Sequence, residues 1–460
     1  MKKFALISAV IFVFSFATFA QMQSDAALRR VIEQDKISRD ASGKLQTLSA
    51  AEHLLRADVY STNRLFPQAR EHWQKFFDNY PNQAGTEKAL FGTARSYMWE
   101  REYDKAVAWF EKLTKDYLMT KEGREGLAFK GASYVRMNKH LEAAKTYEQY
   151  TVMFPNGERI ETSHLNIIDA LREAKKYDDA NLWVDKTRAK FAEKPTEVNA
   201  VHARLRMEIH RERWADAVRV ADNLLGLRGF AGSMSSLDEV KYLKGIALEK
   251  QNKKPEAVAV YNSIAPSFNS YYSGLATEKL IKLNGGQPRN SPNVSPAMTK
   301  DFPILYRAEL LRHANTKNID PRFVLAIMKQ ESSFRANAKS PAAARGLLQL
   351  VFDTALKYNK RAGYPNLKPD DLYQPSVNIA IGSVYIEELK DEFGGLYEAI
   401  AASYNGGEDN AERWLSRTKP KDAGIFASEV GFAETKAYVY KVMNNYRIYR
   451  ELYTEDLQRR

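Results

Sequence analysis

The sequence contains no cysteine and, after residue 300, only one histidine, His313. Without cysteine the chain can form no disulfide, and thiol nucleophiles and thiolate metal sites are excluded. A single histidine excludes a histidine-rich zinc site and a Ser-His-Asp triad in that part of the chain. The same part has no Gly-rich loop ending in Lys-Ser/Thr and no dinucleotide fingerprint. Its chemistry must therefore rest on carboxylates, amides and tyrosines, and we expect no metal ion or cofactor.

Long apolar runs are also scarce, and the one that stands out is N-terminal. Lys2 and Lys3 precede the run FALISAVIFVFSFATFA, which ends at Ala20. This pattern predicts a secretory signal peptide over residues 1–20 and a periplasmic protein. The alternative is an uncleaved anchor, because the run is almost long enough to cross a bilayer, and we expect membrane association only in that case. Export argues against nucleic acid as a partner, although the net charge of +12 would suit any polyanion.

A repeat runs through the first 260 residues. Alanines recur at intervals of 37 residues and finally of 40, at Ala69, Ala106, Ala143, Ala180, Ala217 and Ala257. Three residues before each alanine stand Phe66, Tyr103, His140, Tyr177, Trp214 and Lys254. Twelve residues before each alanine stand Ala57, Ala94, Gly131, Ile168, Leu205 and Gly245. The pattern resembles a tetratricopeptide (TPR) array with expanded turns, since the usual period is about 34 residues.

These observations predict the domain organisation. A chain of 460 residues is too long for one ordinary core. We expect a TPR-like α-superhelical domain over residues 21–284 and a linker rich in Gly, Pro, Asn and Ser over residues 285–300. Residues 301–460 should form a second domain. The surface of such an array can hold a protein partner, but the sequence does not name one.

One carboxylate in the second domain lies in an unusual setting. Asp320 is a predicted N-cap and Pro321 the first residue of a helix that ends near Glu331. Glu331 shares a helix face with the apolar residues Val324, Ile327 and Met328. Burial there would raise the pKa of its carboxyl, as a general acid requires. The alternative is that Glu331 pairs with a basic residue or points to solvent.

Five segments in fixed order carry a family resemblance. They read ESSF, SPAAARGLLQLVFDTA, QPSVNIAIGSVYIEEL, AIAASYNGGEDNAERWL and GFAETKAYVYKVMNNYRIYR. Together they resemble the catalytic domain of soluble lytic transglycosylases, which cleave peptidoglycan. The implied fold class is mainly α: a TPR-like superhelix of helical hairpins followed by a lysozyme-like domain (α+β, mostly helical).

The resemblance also implies roles for individual residues. Glu331 corresponds to the single catalytic acid/base, and Glu434 to a supporting polar residue. The implied substrate-binding residues are Ser332, Leu348, Gln349, Tyr404 and Asn405. Glu331 would protonate the bond between N-acetylmuramic acid and N-acetylglucosamine, helped by the acetamido group of the sugar. It would then take the proton of the muramic C6 hydroxyl, which leaves a 1,6-anhydro end.

Two alternatives remain open. A hydrolytic muramidase on the same fold would need a second carboxylate such as Glu408, Asp409 or Glu412, which we interpret as a solvated helical face. A non-catalytic periplasmic TPR scaffold would only bind glycan. The sequence also departs from the family pattern at Ala343, Leu348, Phe352, Gln374 and Ser403. Ala343 replaces a glycine, which is costly only if its φ is positive.

Overall fold

The structure is a computed structural model that describes residues 26–81, 83–284 and 296–460. The predicted signal peptide and residues 285–295 of the predicted linker lie outside these ranges. The chain divides into two compact units. The first comprises the described residues up to Ser163 together with Lys339–Ala344, and the second comprises His164–Ala338 and Arg345–Arg460. The domain boundaries at residues 284 and 301 stay a prediction.

The first unit is built from helices that follow one another as antiparallel hairpins. They are α1 (26–37), α2 (Ala50–Thr62), α3 (Phe66–Asn79), α4 (Thr86–Trp99), α5 (Tyr103–Asp116), α6 (Lys121–Arg136) and α7 (His140–Met153). Helix α8 (Ile160–Glu173) spans the division between the units.

The second unit continues the hairpins and adds the C-terminal helices. The hairpin helices are α9 (Tyr177–Lys190), α10 (Pro195–His210), α11 (Trp214–Leu225), α12 (Leu237–Lys250), α13 (Lys254–Asn262) and α14 (Tyr271–Leu283). The remaining helices are α15 (Arg307–Ala314), α16 (Pro321–Ser332), α17 (Phe352–Tyr358), α18 (Pro375–Glu392), α19 (Tyr397–Gly406), α20 (Glu408–Ser416), α21 (Ala423–Glu429) and α22 (Ala433–Leu452).

The repeat read from the sequence is confirmed by the helix boundaries. The second helix of each hairpin begins at the residue three positions before the recurring alanine, from Phe66 in α3 to Lys254 in α13. Each tight turn before it contains one residue with positive φ, at Arg64, Arg101, Asn138, Lys175, Glu212 and Asn252. These turns therefore recur with the same period, although a left-handed conformation is costly for residues other than glycine.

Small residues let the two helices of a hairpin approach closely. The six recurring alanines are all completely buried. Where the partner helix carries glycine, the space is filled from the opposite helix: a Cβ added at Gly131 would lie 2.8 Å from the ring of Tyr147. Gly245 meets the ring of Tyr261 in the same way. The predicted small-residue contact is confirmed.

The C-terminal helices surround α16. Its residues from Phe323 to Met328 are completely buried, so the helix is enclosed on every side over that stretch. In the described part of the chain, β structure is limited to isolated bridges such as Arg345↔Leu350 and Tyr453↔Arg459. The predicted fold class, mainly α with helical hairpins before a mostly helical domain, is confirmed. None of the helices in the described ranges is both long and apolar enough to cross a membrane.

Candidate active site

Glu331 lies in the last turn of α16 and is mostly buried. Burial raises the pKa of its carboxyl to about 7, while a hydrogen bond from Tyr438 acts in the opposite direction. The Tyr438 hydroxyl donates to Glu331 Oε1 at 2.6 Å. In the described part of the chain, no charged side chain contributes to this shift. The group can therefore hold a proton near neutral pH, as a general acid must.

The local sequence explains why α16 presents Glu331 at its end. The Asp320 side chain caps the first turn by accepting from the backbone N–H of Arg322 at 2.9 Å, and Pro321 occupies the first helical position. After Glu331, Ser333 (φ 49°) and Phe334 (φ 64°) adopt the left-handed conformation and end the helix. The predicted helix start is confirmed.

A tight loop over residues 345–350 contacts the end of α16 through Ser332 and is held by Asn378 of α18. The buried Asn378 amide accepts from the backbone N–H of Leu348 at 2.8 Å. It also donates to the carbonyls of Arg345 at 3.0 Å and Leu372 at 2.8 Å. Gly346 has φ 80°, and a Cβ there would collide with Asn378. The loop therefore needs both the glycine and the amide.

Two predicted substrate-binding residues are engaged in holding this loop. The buried Ser332 hydroxyl donates to the carbonyl of Leu347 at 2.8 Å and to that of Met328 at 3.1 Å. Gln349 has φ 45°, and its amide nitrogen donates to the carbonyls of Ala338 at 3.0 Å and Gly346 at 2.8 Å. Both side chains fix the backbone that follows α16.

Leu348, also predicted to bind substrate, has no exposed side-chain surface. Its side chain packs against Gly382 of α18. A direct sugar contact would therefore require this side chain to move out of its packed position. The backbone of Leu348 is bound on both sides, because its carbonyl accepts from the Tyr404 hydroxyl at 2.7 Å.

Tyr404 belongs to an aromatic row beside the acid. Its ring lies 5.2 Å from that of Tyr385, which stacks at 5.1 Å on Tyr358. Burial is the main reason why the pKa of Tyr404 lies well above its ordinary value, and the nearby Glu331 carboxylate raises this pKa further. Tyr404 and Glu331 thus lie in one site, and the role of Tyr404 in substrate binding stays a prediction.

Asn405 and Glu434 lie on the rim of this arrangement. Asn405 is exposed, and its Oδ1 accepts from the Thr435 hydroxyl of α22 at 2.7 Å. Glu434 is exposed in the first turn of α22. Among the described residues none forms a hydrogen bond or ion pair with its carboxylate. The structure links Asn405 to α22 directly, whereas the supporting role of Glu434 stays a prediction.

Other carboxylates differ from Glu331 in their surroundings. Glu412 is exposed on α20, and Glu408 and Asp409 are half-buried in its first turn. None of the three is a cause of the raised pKa of Glu331. Burial also raises the pKa of Glu398 to about 7, but this carboxylate is sealed in the core and accepts from Tyr271 at 3.0 Å. Geometry, and not the pKa alone, therefore selects Glu331.

Helix α22, which carries Tyr438, is tied to the hairpin helices of the same unit. Lys436 is buried and donates to Glu239 Oε1 at 2.7 Å. Tyr440 donates to the other oxygen of Glu239 at 3.2 Å, and His202 Nε2 lies 3.0 Å from Oε1. Burial alone would raise the pKa of Glu239, but the attraction of Lys436 and His202 lowers it to about 2. The residues on either side of Tyr438 are therefore held in place by an ion pair and a hydrogen bond to Glu239.

Tyr438 and Asn378 are functional candidates that the sequence analysis did not single out. Both lie in segments that carry the family resemblance, Tyr438 in AETKAYVY and Asn378 in QPSVNIAI. The family resemblance of those segments was the signal in the sequence that could have indicated Tyr438 and Asn378. The partner of Tyr438 could not be read from it, because Glu331 is 107 positions away.

Comparison with known families agrees with this geometry. Residues 310–426, which include Glu331 and the loop after it, match the family model of the transglycosylase SLT domain. Residues 54–117 match that of the tetratricopeptide repeat. Residues 310–426 form an SLT domain. Tyr438 follows the matched part of the SLT domain by twelve positions, at the second turn of α22.

Relatives of the SLT domain are known by name. The soluble lytic murein transglycosylase of Salmonella typhimurium is 32% identical over 151 residues, which are 32% of this chain and 23% of that protein. A putative soluble lytic murein transglycosylase of Haemophilus influenzae is 37% identical over 127 residues, 27% of this chain and 21% of that protein. The alignments thus span less than a quarter of these curated relatives.

A solved structure resembles a larger share of the chain. The inactive mutant of the lytic transglycosylase Slt from Pseudomonas aeruginosa aligns with 86% of this chain and 78% of that chain. The sequence identity is 16% and the TM-score 0.48.

Proposed function

We propose that this protein is an exported lytic transglycosylase that cleaves the β-1,4 bond between N-acetylmuramic acid and N-acetylglucosamine in peptidoglycan. The observation that carries the proposal is the mostly buried Glu331, whose pKa is raised to about 7 and whose carboxylate accepts a hydrogen bond from Tyr438. A bond between two sugars breaks when its oxygen is protonated, and an acid that keeps its proton near neutral pH can supply one.

A single acid has to act twice in this reaction. Protonated Glu331 gives its proton to the glycosidic oxygen, and the acetamido oxygen of the muramic acid stabilises the positive charge at C1. The resulting Glu331 carboxylate then accepts the proton of the C6 hydroxyl, which attacks C1 and forms the 1,6-anhydro ring. No water is consumed. The hydrogen bond from Tyr438 stabilises the carboxylate in the interval between the two proton transfers.

The neighbouring side chains have distinct proposed roles. Tyr404, Gln349 and Asn405 bind the substrate through groups at the edge of the site, with Asn405 the most exposed of them. Ser332 and Leu348 contribute by holding the loop over residues 345–350. The Ser332 hydroxyl donates a hydrogen bond to the carbonyl of Leu347, and the Leu348 carbonyl accepts one from Tyr404. Glu434 supports the site from the start of α22.

The surroundings of the enzyme follow from the same proposal. Its substrate lies in the periplasm, so residues 1–20 act as the signal peptide. The TPR-like domain spans residues 21–284, the linker residues 285–300 and the catalytic domain residues 301–460. Peptidoglycan carries carboxylates on its peptides and lactyl groups, and the net charge of +12 is complementary to them.

Mass spectrometry of fragments released from purified peptidoglycan tests the proposal. The protein should release fragments one water lighter than hydrolysis products, and Glu331→Gln should release none. Fragments with ordinary reducing ends would instead identify a muramidase with a second carboxylate. Release of nothing by either protein would favour the scaffold that only binds glycan.

A further inference from the structure

One face of α4 in the first unit combines aromatic and cationic side chains. Lys88, Phe91, Gly92, Arg95 and Trp99 follow the spacing i, i+3, i+4, i+7 and i+11, which places them on one side of the helix. This side borders a cavity of about 450 Å³ that α2 and α6 also line. Part of this face packs against other helices, since the ring of Phe91 lies 6.3 Å from the ring of Phe110 in α5, whereas Lys88 and Trp99 are exposed.

Trp99 gives this cavity one exposed aromatic ring. Trp99 is 52% exposed, which is unusual for so large an apolar side chain. The guanidinium of Arg64 lies 5.2 Å from the centre of the Trp99 ring. The second tryptophan of the cavity, Trp73, is buried under Gly92, where an added Cβ would lie 2.5 Å from its ring. The exposed ring of Trp99 can present an apolar face to a ligand.

The charges of the cavity are mixed and partly uncompensated. Within the described ranges no carboxylate lies at ion-pair distance from Lys88 or Arg95, although Asp58 and Glu122 also line the cavity. Arg95 instead has its guanidinium 5.5 Å from the rings of Phe91 and Phe129. Burial lowers the pKa of Arg95, so an anionic ligand would relieve the cost of keeping this cation out of water.

We propose that this cavity, which Pro341 and Ala342 of the segment after α16 also line, is a second peptidoglycan-binding site and that it takes a muramyl peptide. The exposed Trp99 ring suits the face of an N-acetylated sugar, and Lys88 and Arg95 suit the carboxylates of the attached peptide. Asp58 and Glu122 can accept from its hydroxyl and amide groups. The proposal rests on the proposed function, because it takes peptidoglycan as the polymer that the chain meets.

Sedimentation with insoluble peptidoglycan tests the site in the full chain, with Glu331→Gln as background so that the polymer stays intact. Trp99→Ala and Arg95→Gln should each weaken binding by about tenfold. Trp99→Phe, which keeps an aromatic ring, should restore most of it. Lys186→Gln is the matched control, because Lys186 is an exposed cation 4.5 Å from the ring of Trp183 on α9. Equal binding by the Arg95, Trp99 and Lys186 variants would overturn the proposal.

A second measurement needs no substitution. Chemical acetylation of lysines, read by mass spectrometry, should slow at Lys88 when muramyl dipeptide is added and should not slow at Lys186. Equal labelling of Lys88 with and without the dipeptide would also overturn the proposal. Failure of the proposed function would show elsewhere, as missing 1,6-anhydro products from the unsubstituted protein, while binding and protection would persist.

Discussion

The Tyr438 hydroxyl of α22 donates a hydrogen bond of 2.6 Å to Oε1 of Glu331 at the end of α16. Burial of Glu331 favours its protonated form, whereas this hydrogen bond favours the carboxylate. The balance sets the pKa of Glu331 at about 7. An acid tuned in this way can give up its proton and take one back in a single catalytic cycle.

Removal of this hydrogen bond should change the pH dependence of the reaction. Tyr438→Phe leaves the burial of Glu331 in place but takes away the group that lowers its pKa. The loss of activity at alkaline pH should therefore begin at a higher pH than in the unsubstituted protein, and the rate should fall about tenfold or more. A pH–rate profile measures both effects.

Tyr446→Phe is the control for that profile. Tyr446 lies on the same helix but donates to Asp320 at 2.8 Å, away from Glu331. Its profile should keep the alkaline limb where it is. A limb that moves equally in both variants, or moves to lower pH in Tyr438→Phe, would contradict the role assigned to Tyr438.

Neutralising Glu331 should stabilise the protein at high pH. Between the ordinary value of 4.5 and about 7, folded Glu331 holds a proton that the unfolded chain releases, so stability falls as pH rises. The upper bound is roughly 3.5 kcal/mol, because one pKa unit corresponds to about 1.4 kcal/mol. Glu331→Gln should therefore melt at a higher temperature than the unsubstituted protein at about pH 8, and the difference should shrink at about pH 5.

Glu398→Gln separates stability from catalysis. Burial raises the pKa of Glu398 to about 7 as well, so this variant should show the same pH-dependent gain in melting temperature. Peptidoglycan cleavage should fall by a factor of at least about 100 in Glu331→Gln only. Comparable loss of cleavage in Glu398→Gln would show that buried charge, and not position beside the substrate, explains the effect.

The ion pair between Lys436 and Glu239 should be costly to break from one side. Lys436→Met leaves a buried carboxylate without its closest cation, which should destabilise the protein by about 3–5 kcal/mol. Adding Glu239→Gln removes the stranded charge and should restore part of the melting temperature. A double variant that is less stable than Lys436→Met would contradict this account of α22.

Ala343 stands where the family pattern has glycine, and its φ is 60°. Ala343→Gly should therefore stabilise the protein by about 1 kcal/mol, because glycine adopts this conformation without the strain of a Cβ. Ala344→Gly is the control, since Ala344 does not have a positive φ and should lose stability instead. Thermal melting of both variants decides, and a loss in Ala343→Gly would refute the argument from strain.

The sequence predicts those features that depend on neighbours in the chain. The 37-residue spacing of the alanines locates the hairpins because each helix buries one face at a fixed period, and Asp320 with Pro321 locates the start of α16. The placement of Glu331 on the apolar face of α16 follows from its helical spacing to Val324, Ile327 and Met328.

Contacts between segments that are distant in the chain could not be predicted from the sequence. Tyr438 reaches Glu331 over 107 positions, and Lys436 reaches Glu239 over 197. Periodicity assigns a residue to a face but does not say which other helix covers that face. For the same reason, the burial of the Leu348 side chain against Gly382 could not be predicted from the sequence.

The most direct test of the account is digestion of peptidoglycan in water enriched in the heavy oxygen isotope. If Glu331 directs the muramic C6 hydroxyl to C1, every new end is a 1,6-anhydro ring and carries no heavy oxygen. Heavy oxygen at the new ends would show that water attacks C1, and would contradict the single-acid transglycosylase mechanism.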